Sequence, residues 1–199
     1  MSANQPDQLF WATRWTLRDV VALVVTAIVL GVVFYLWGWA MQVLSRLLGD
    51  VAAGLFYGVW FWAGLLLAYA IRKPGAALLG EFGAAIVAYA LGSPLAALML
   101  ALGWLQGMAM EMVFAWARFQ HWGLVTMLVA GAAAGTASFA VNLVALPVQP
   151  ALHSPGIIIA MLWIAIISGL VLGGLVCKIL GDRVLAIASV RQFLGPQVS

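Results

Sequence analysis

Glutamate occurs twice in this 199-residue chain, at Glu81 and Glu111, and both lie inside runs apolar enough to cross a bilayer. A carboxylate at the centre of a spanning helix costs about 2.5–3.5 kcal/mol on insertion scales, so each needs a partner, a proton or a cationic ligand. Trp104, Glu111 and Arg118 follow one another at seven-residue spacing and therefore share a helical stripe, with an indole two turns to one side of Glu111 and a guanidinium two turns to the other. Glu81 precedes the breaker Gly92-Ser93-Pro94 and Glu111 follows it, so antiparallel helices on either side of that turn are expected to bring the two carboxylates to similar depth. Two acids at one level have three readings: a shared proton, pairing with Arg118 or Arg72, or a site for a cation.

The outer halves of the surrounding spans supply Tyr57, Trp60, Trp104, Gln106, Asn142 and Trp163, with His153 in the loop above them. Rings, amides and deep carboxylates together suit a flat, polar, cationic heteroaromatic molecule, because ring faces attract cations and a carboxylate accepts hydrogen bonds from an aminopyrimidine. Each of these side chains also has a purely structural role open to it. The tryptophans can pack in the core or face lipid, Asn142 can bond a neighbouring helix, His153 can be solvated, and either glutamate can order the bundle through a salt bridge or hydrogen bond.

The elements that must position these residues are set by composition. The chain is 66% hydrophobic and 8% charged, and its mean hydropathy is +1.12, values that mark an all-α integral membrane protein. A lipid-facing backbone must satisfy its own hydrogen bonds, and helix is the way to do so here. Six transmembrane helices are read over residues 19–44, 53–71, 75–91, 95–116, 124–146 and 156–180, forming one membrane domain over 1–199, with the third span short. The breakers are Gly49-Asp50, Lys73-Pro74-Gly75, Gly92-Ser93-Pro94, Gln120-His121 and the loop from Pro147 to Pro155. If the spans alternate, eight of the nine Lys and Arg residues fall on one side and Arg46 alone on the other, which makes both termini cytoplasmic. The net charge of +3 thus reports topology and gives no support to nucleic-acid binding. Trp11, Trp15, Trp37, Trp39 and Trp122 fall near the expected interfaces, where indoles anchor.

Small residues recur at four-residue spacing in Ala27-xxx-Gly31, Gly103-xxx-Gly107, Gly131-xxx-Gly135 and Gly169-xxx-Gly173, a pattern that lets helix backbones approach closely within the chain or against a partner. Cys177 is the single cysteine, so no intramolecular disulfide or cysteine-based metal site forms. The first apolar run is too long and too aromatic for a removable signal peptide and reads as a retained helix. No phosphate loop, HExxH, GxSxG or clustered metal-ligand pattern is present, so no enzyme activity, ATP hydrolysis or cofactor is expected of this chain.

Taken in order, Tyr57-Gly58-Val59-Trp60-Phe61, Arg72-Lys73-Pro74-Gly75-Ala76-Ala77-Leu78, Glu81, Leu91-Gly92-Ser93-Pro94, Gln106-Gly107, Glu111-Met-Val-Phe114 and Arg118 resemble the YkoE-type substrate-binding (S) component of energy-coupling-factor (ECF) vitamin transporters. His153-Ser154-Pro155-Gly156, Ala160-Met161-Leu162 and Ile167-Ser168-Gly169 agree with it as well, so the resemblance covers about Phe56 to Lys178. It implies a six-helix protein of a prokaryotic plasma membrane that binds thiamine or its hydroxymethylpyrimidine (HMP) moiety and works with a transmembrane coupling (T) subunit and cytoplasmic ATPase subunits. Substrate contacts are then expected from Glu81, Glu111, Gln106, Trp104, Trp60, Tyr57, Asn142 and Trp163. S components often dock through small residues in an AxxxA pattern on the first helix, for which Ala27 and Gly31 are the nearest equivalent here. Two other classes remain alongside: a non-transporting scaffold subunit, and a stand-alone carrier that uses the two carboxylates as a proton relay.

Overall fold

The computed structural model describes residues 14–94, 96–145 and 154–187, and every regular element among them is helical. Helix α1, Leu17–Leu48, begins at a capping box. Thr16 Oγ1 accepts from the Asp19 N–H, while the Asp19 carboxylate accepts from the Thr16 N–H at 2.7 Å, which satisfies two of the donors that a helix start leaves free. Its inward face is Ala27, Leu30, Gly31, Phe34, Gly38 and Met41. The opposite face exposes Val21, Val25, Ile28, Val32, Leu36 and Val43, side chains that water would not tolerate as a continuous strip and that lipid does.

Helix α2, Asp50–Ile71, is composite. A short α-helical start, Asp50–Ala53, runs into a 3₁₀ stretch, Gly54–Phe61, and then a regular α-helix, Trp62–Ile71. Helix α3 is Ala76–Ala90, α4 Ala96–Trp116 and α5 Leu124–Ala145. Helix α6, Pro155–Ala186, contains a π-helical stretch, Gly169–Leu175. Five of these six helices have the length and hydropathy to cross a membrane, and α3 is the shorter one at 15 residues. At about 1.5 Å per residue α3 is some 22 Å long, less than a hydrocarbon core of about 30 Å. It packs between α1, α2 and α4, which cover it.

Close approach is set by glycine and alanine. A methyl on Gly31 would fall 2.5 Å from Val87 Cβ, and one on Gly83 would meet Ala27 Cβ at 3.3 Å, so Ala27 and Gly31 face α3 inside this chain. A methyl on Gly131 would fall 2.1 Å from the Gly169 carbonyl oxygen, which holds α5 and α6 in backbone contact.

The irregular stretches of α2 and α6 meet and repair one another. Ser168 Oγ accepts from the Gly58 N–H at 2.8 Å and donates to the Leu55 carbonyl at 2.7 Å, while the Trp62 indole donates to the Leu172 carbonyl at 2.9 Å. Such bonds take up backbone groups that a departure from regular α-helix leaves without partners.

The structure departs from the sequence expectation in two places that matter for the site. Helix α4 ends at Trp116 and Arg118 lies beyond it in a left-handed conformation, φ 55°, so Arg118 does not share a helical stripe with Glu111. The two glutamates are also not level. Gly103 packs on Ala85 and Gly107 on Leu78, while Glu111 reaches Gly75; Glu81 therefore lies about six residues, or about 9 Å, along α3 from the level of Glu111. The Gly92–Pro94 turn is closer in sequence to Glu81 than to Glu111, and that asymmetry carries straight into depth.

Candidate functional site

Glu111 is fully engaged by the start of α3. Gly75 occupies the cap position with φ +89°, a conformation that glycine adopts freely, and it brings no side chain to cap the helix. The missing acceptor comes from α4. One Glu111 oxygen accepts from the Gly75 N–H at 2.5 Å, and the other from Ala77 at 3.1 Å and Leu78 at 3.3 Å. Ala76 donates to the Lys73 carbonyl and Leu79 to that of Gly75, so every donor in the first turn of α3 is satisfied. A carboxylate at this position also matches the positive end of the helix dipole.

Glu81 is placed differently. It is buried to 1% exposure, and its Oε2 accepts from the Gly64 N–H at 2.7 Å. Gly64 is the third residue of the regular α-helix that starts at Trp62, and an N–H there has no partner within its own helix. The break between 3₁₀ and α geometry thus creates a donor in mid-bundle, and Glu81 reaches it from α3. Gly64 and Gly80 allow the approach: a methyl on Gly64 would fall 3.1 Å from Glu81 Oε2, and one on Gly80 would fall 3.0 Å from the Ala63 carbonyl.

That carboxylate borders a cleft lined by Phe34, Trp60, Ala85, Met99, Leu102, Gly103 and Gln106, whose volume of about 10 Å³ is room for one water. Phe34 and Trp60 stand edge to face, with centroids 5.3 Å apart. The Gln106 amide nitrogen donates to Ser138 Oγ at 2.7 Å, and Ser138 in turn donates to the Ala134 carbonyl at 2.9 Å. Because the serine proton is committed to Ala134, its oxygen must accept from Gln106, which fixes the amide orientation and leaves the Gln106 carbonyl oxygen as an acceptor. A carboxylate, an amide carbonyl and two ring systems thus share the lining of this cleft.

Of the residues singled out in the sequence, the structure brings Glu81, Gln106 and Trp60 together. Tyr57 and Asn142 line a second small cleft nearer the Arg46 end, with Asp50, Gly54, Phe139 and Met161. The 3₁₀ repeat of three residues per turn puts Tyr57 and Trp60 in one row on α2, so the two clefts lie along a single stripe. Trp104 and Trp163 stand apart, 48% and 58% exposed. On α4 the inward face is Met99, Gly103, Gln106, Gly107 and Met110, and Trp104 falls outside it, edge-on to Phe82. His153 lies outside the described residues. Sequence reasoning missed Phe34, one helical turn from Gly31 on the small-residue face of α1, and Asp50, which it had assigned to a breaker. Among the described residues no group of three His, Cys, Asp or Glu side chains could hold a metal ion.

Residues 18–137 match a family described as ABC-type cobalt transport system, permease component. A Bacillus subtilis (strain 168) protein provisionally named HMP/thiamine permease protein YkoE is 37% identical over 168 residues, which cover 84% of this chain and 83% of the relative. The chain belongs to the YkoE family of ECF S components. A crystal structure of an S-component of an ECF transporter superposes with a TM-score of 0.83 at 35% identity, over 89% of each chain. The S-component fold and the apolar helices make this a multi-pass membrane protein with a transport role, and S components are not themselves enzymes.

Proposed function

We propose that this S component captures thiamine or its hydroxymethylpyrimidine precursor from outside a prokaryotic plasma membrane, for uptake driven by separate ATPase subunits through a coupling subunit. The observation that carries the reading is that the buried Glu81 carboxylate and the Gln106 amide line one cleft with Trp60 and Phe34. Two acceptors flanked by rings complement an aminopyrimidine, which offers an amino group and a stacking face, and the carboxylate balances a cationic ring. The name carried by the Bacillus subtilis relative supports the same class, whereas a site of carbonyl, carboxylate and aromatic groups offers no ligand set for cobalt.

In this reading the chain crosses the membrane six times with α3 as the short span, and both termini are cytoplasmic. The Lys73, Arg72, Lys178 and Arg183 end of the bundle then faces the cytoplasm and Arg46 faces outward. Glu111 acts as the brace that sets the depth of α3, Glu81 as the ligand acid, and Tyr57 and Asn142, with Asp50, as the outer approach. Ala27 and Gly31 are taken up by α3, so the coupling subunit meets α1 on its exposed valine face. A ligand of vitamin size exceeds the present cleft, so Trp60 and Met99 must move to admit it.

Purified protein titrated with thiamine and with HMP by calorimetry tests the reading. Saturable binding of one of them, weakened in Glu81→Gln, is expected. No heat from either ligand overturns the substrate assignment and favours a scaffold role. Uptake into vesicles by this chain alone, without ATPase, overturns the coupling assignment.

A further inference from the structure

Trp37 Nε1 is the one buried side-chain nitrogen or oxygen that lacks a hydrogen-bond partner among the described residues. An unpaired buried donor is destabilising, and native interiors keep few of them. Of the other tryptophans expected at interfaces, Trp11 lies outside the described residues, Trp15 donates to the Pro74 carbonyl, Trp122 donates to the Phe119 carbonyl and stacks on Phe114, and Trp39 is half exposed. Trp37 instead packs against the buried core that holds Phe34, Met41, Trp60 and Met99. It stands three residues beyond Phe34, and therefore on the same face of α1 as the ring that lines the Glu81 cleft, toward the Arg46 end. Its neighbour Gly38 lies against Ser93 and Pro94, so the indole is held at the level where the α3–α4 turn closes over the bundle.

We infer that the Trp37 indole N–H is the ligand donor of this site, reserved for an acceptor atom of the bound heteroaromatic molecule, a ring nitrogen or a hydroxyl oxygen. The inference rests on the substrate reading above and adds to it a polarity rule. Glu81 and Gln106 offer acceptors, and Trp37, which stands beyond the residues lining the present cleft, offers the complementary donor toward the Arg46 end. A ligand must then carry a donor and an acceptor on one small ring system, as an aminopyrimidine does and a simple organic cation does not. The absence of a protein partner follows, because an internal acceptor would compete with the ligand.

The test replaces the N–H without changing the shape. Site-specific incorporation of benzothienylalanine at position 37 substitutes sulfur for the indole N–H, and Trp37→Phe accompanies it as a simpler variant. Thiamine and HMP affinities are measured by calorimetry, together with the melting temperature of the ligand-free protein in detergent. The expected result has opposite signs: Kd rises about 5- to 30-fold for the ligand that the wild type binds, while ligand-free stability is unchanged or improved. A Kd within twofold of wild type for the benzothienyl variant overturns the inference and leaves the substrate reading standing. Equal loss of affinity and stability also overturns it, since that is the signature of packing. If the wild type itself binds neither compound, the substrate reading falls and this inference falls with it.

Discussion

Substituting Glu111 by Gln separates the two roles that an intramembrane carboxylate can play. The wild-type side chain accepts from three backbone N–H groups, with one oxygen on Gly75 and the other on Ala77 and Leu78. An amide presents one acceptor and turns an NH₂ toward the remaining donors, so at least one of the two oxygen positions is lost. A hydrogen bond to a charged group contributes about 1.5–3 kcal/mol, and the carboxylate interacts with a partly buried helix start by up to about 2 kcal/mol. Glu111 is half-buried and these contributions overlap, so the expected loss is about 2–3 kcal/mol of stability. Thermal unfolding in detergent should show the melting temperature falling by several degrees, while the thiamine Kd changes by no more than about threefold. Unchanged melting with abolished binding would refute the brace and return Glu111 to the ligand site.

Other perturbations probe the remaining contacts. Glu81→Gln keeps an oxygen for the Gly64 N–H but removes the carboxylate, so calorimetry should show thiamine affinity weakened about tenfold or more with little change in melting. Lys73 and Asp19 are both about 2% exposed with Nζ and Oδ2 2.6 Å apart, so Lys73→Met should destabilise by about 3–5 kcal/mol and Asp19→Asn in the same chain should recover much of that. A denaturation double-mutant cycle measures the coupling, and additive effects would show that the pair is not an energetic unit. Gly131→Ala pushes a methyl to 2.1 Å from the Gly169 carbonyl, between two backbones that cannot yield separately. The expected cost is about 1–3 kcal/mol or more, read as a lower melting temperature and loss of folded material on size-exclusion chromatography.

What the sequence made legible depended on whether a feature was local. Glu81 drew notice because a carboxylate in an apolar run is costly wherever it lies. The capping box of α1 is also local, written in the four residues from Thr16 to Asp19, although the expected first span began only at residue 19. The cap on α3 has no such signature: its acceptor is 36 residues away from Gly75, on another helix. Nothing in Lys73-Pro74-Gly75 says that the helix start is completed from outside. The 3₁₀ and π stretches were equally hidden; they lie where α2 and α5 come into backbone contact with α6 through Gly58, Gly131 and Gly169, contacts between segments far apart in the chain. Tryptophan placement was half legible. Trp37 and Trp39 are two residues apart and both were read as interfacial, yet the phase of Ala27, Gly31, Phe34 and Gly38 along α1 turns the first inward and leaves the second out.

The irregularity of α2 is what makes the site possible. A continuous α-helix over Asp50–Ile71 would pair the Gly64 N–H with a carbonyl four residues earlier and leave Glu81 without a donor. The 3₁₀ stretch frees that N–H, which gives the buried carboxylate one fixed partner. The same stretch brings Tyr57 and Trp60 into one row leading from the Asp50 cleft to the Glu81 cleft. Its shape is held from the far side by Ser168 and by the Trp62 bond to Leu172 in the π stretch of α6. The Glu81 cleft is therefore tied to α6 through side-chain-to-backbone hydrogen bonds that no residue lining the cleft makes.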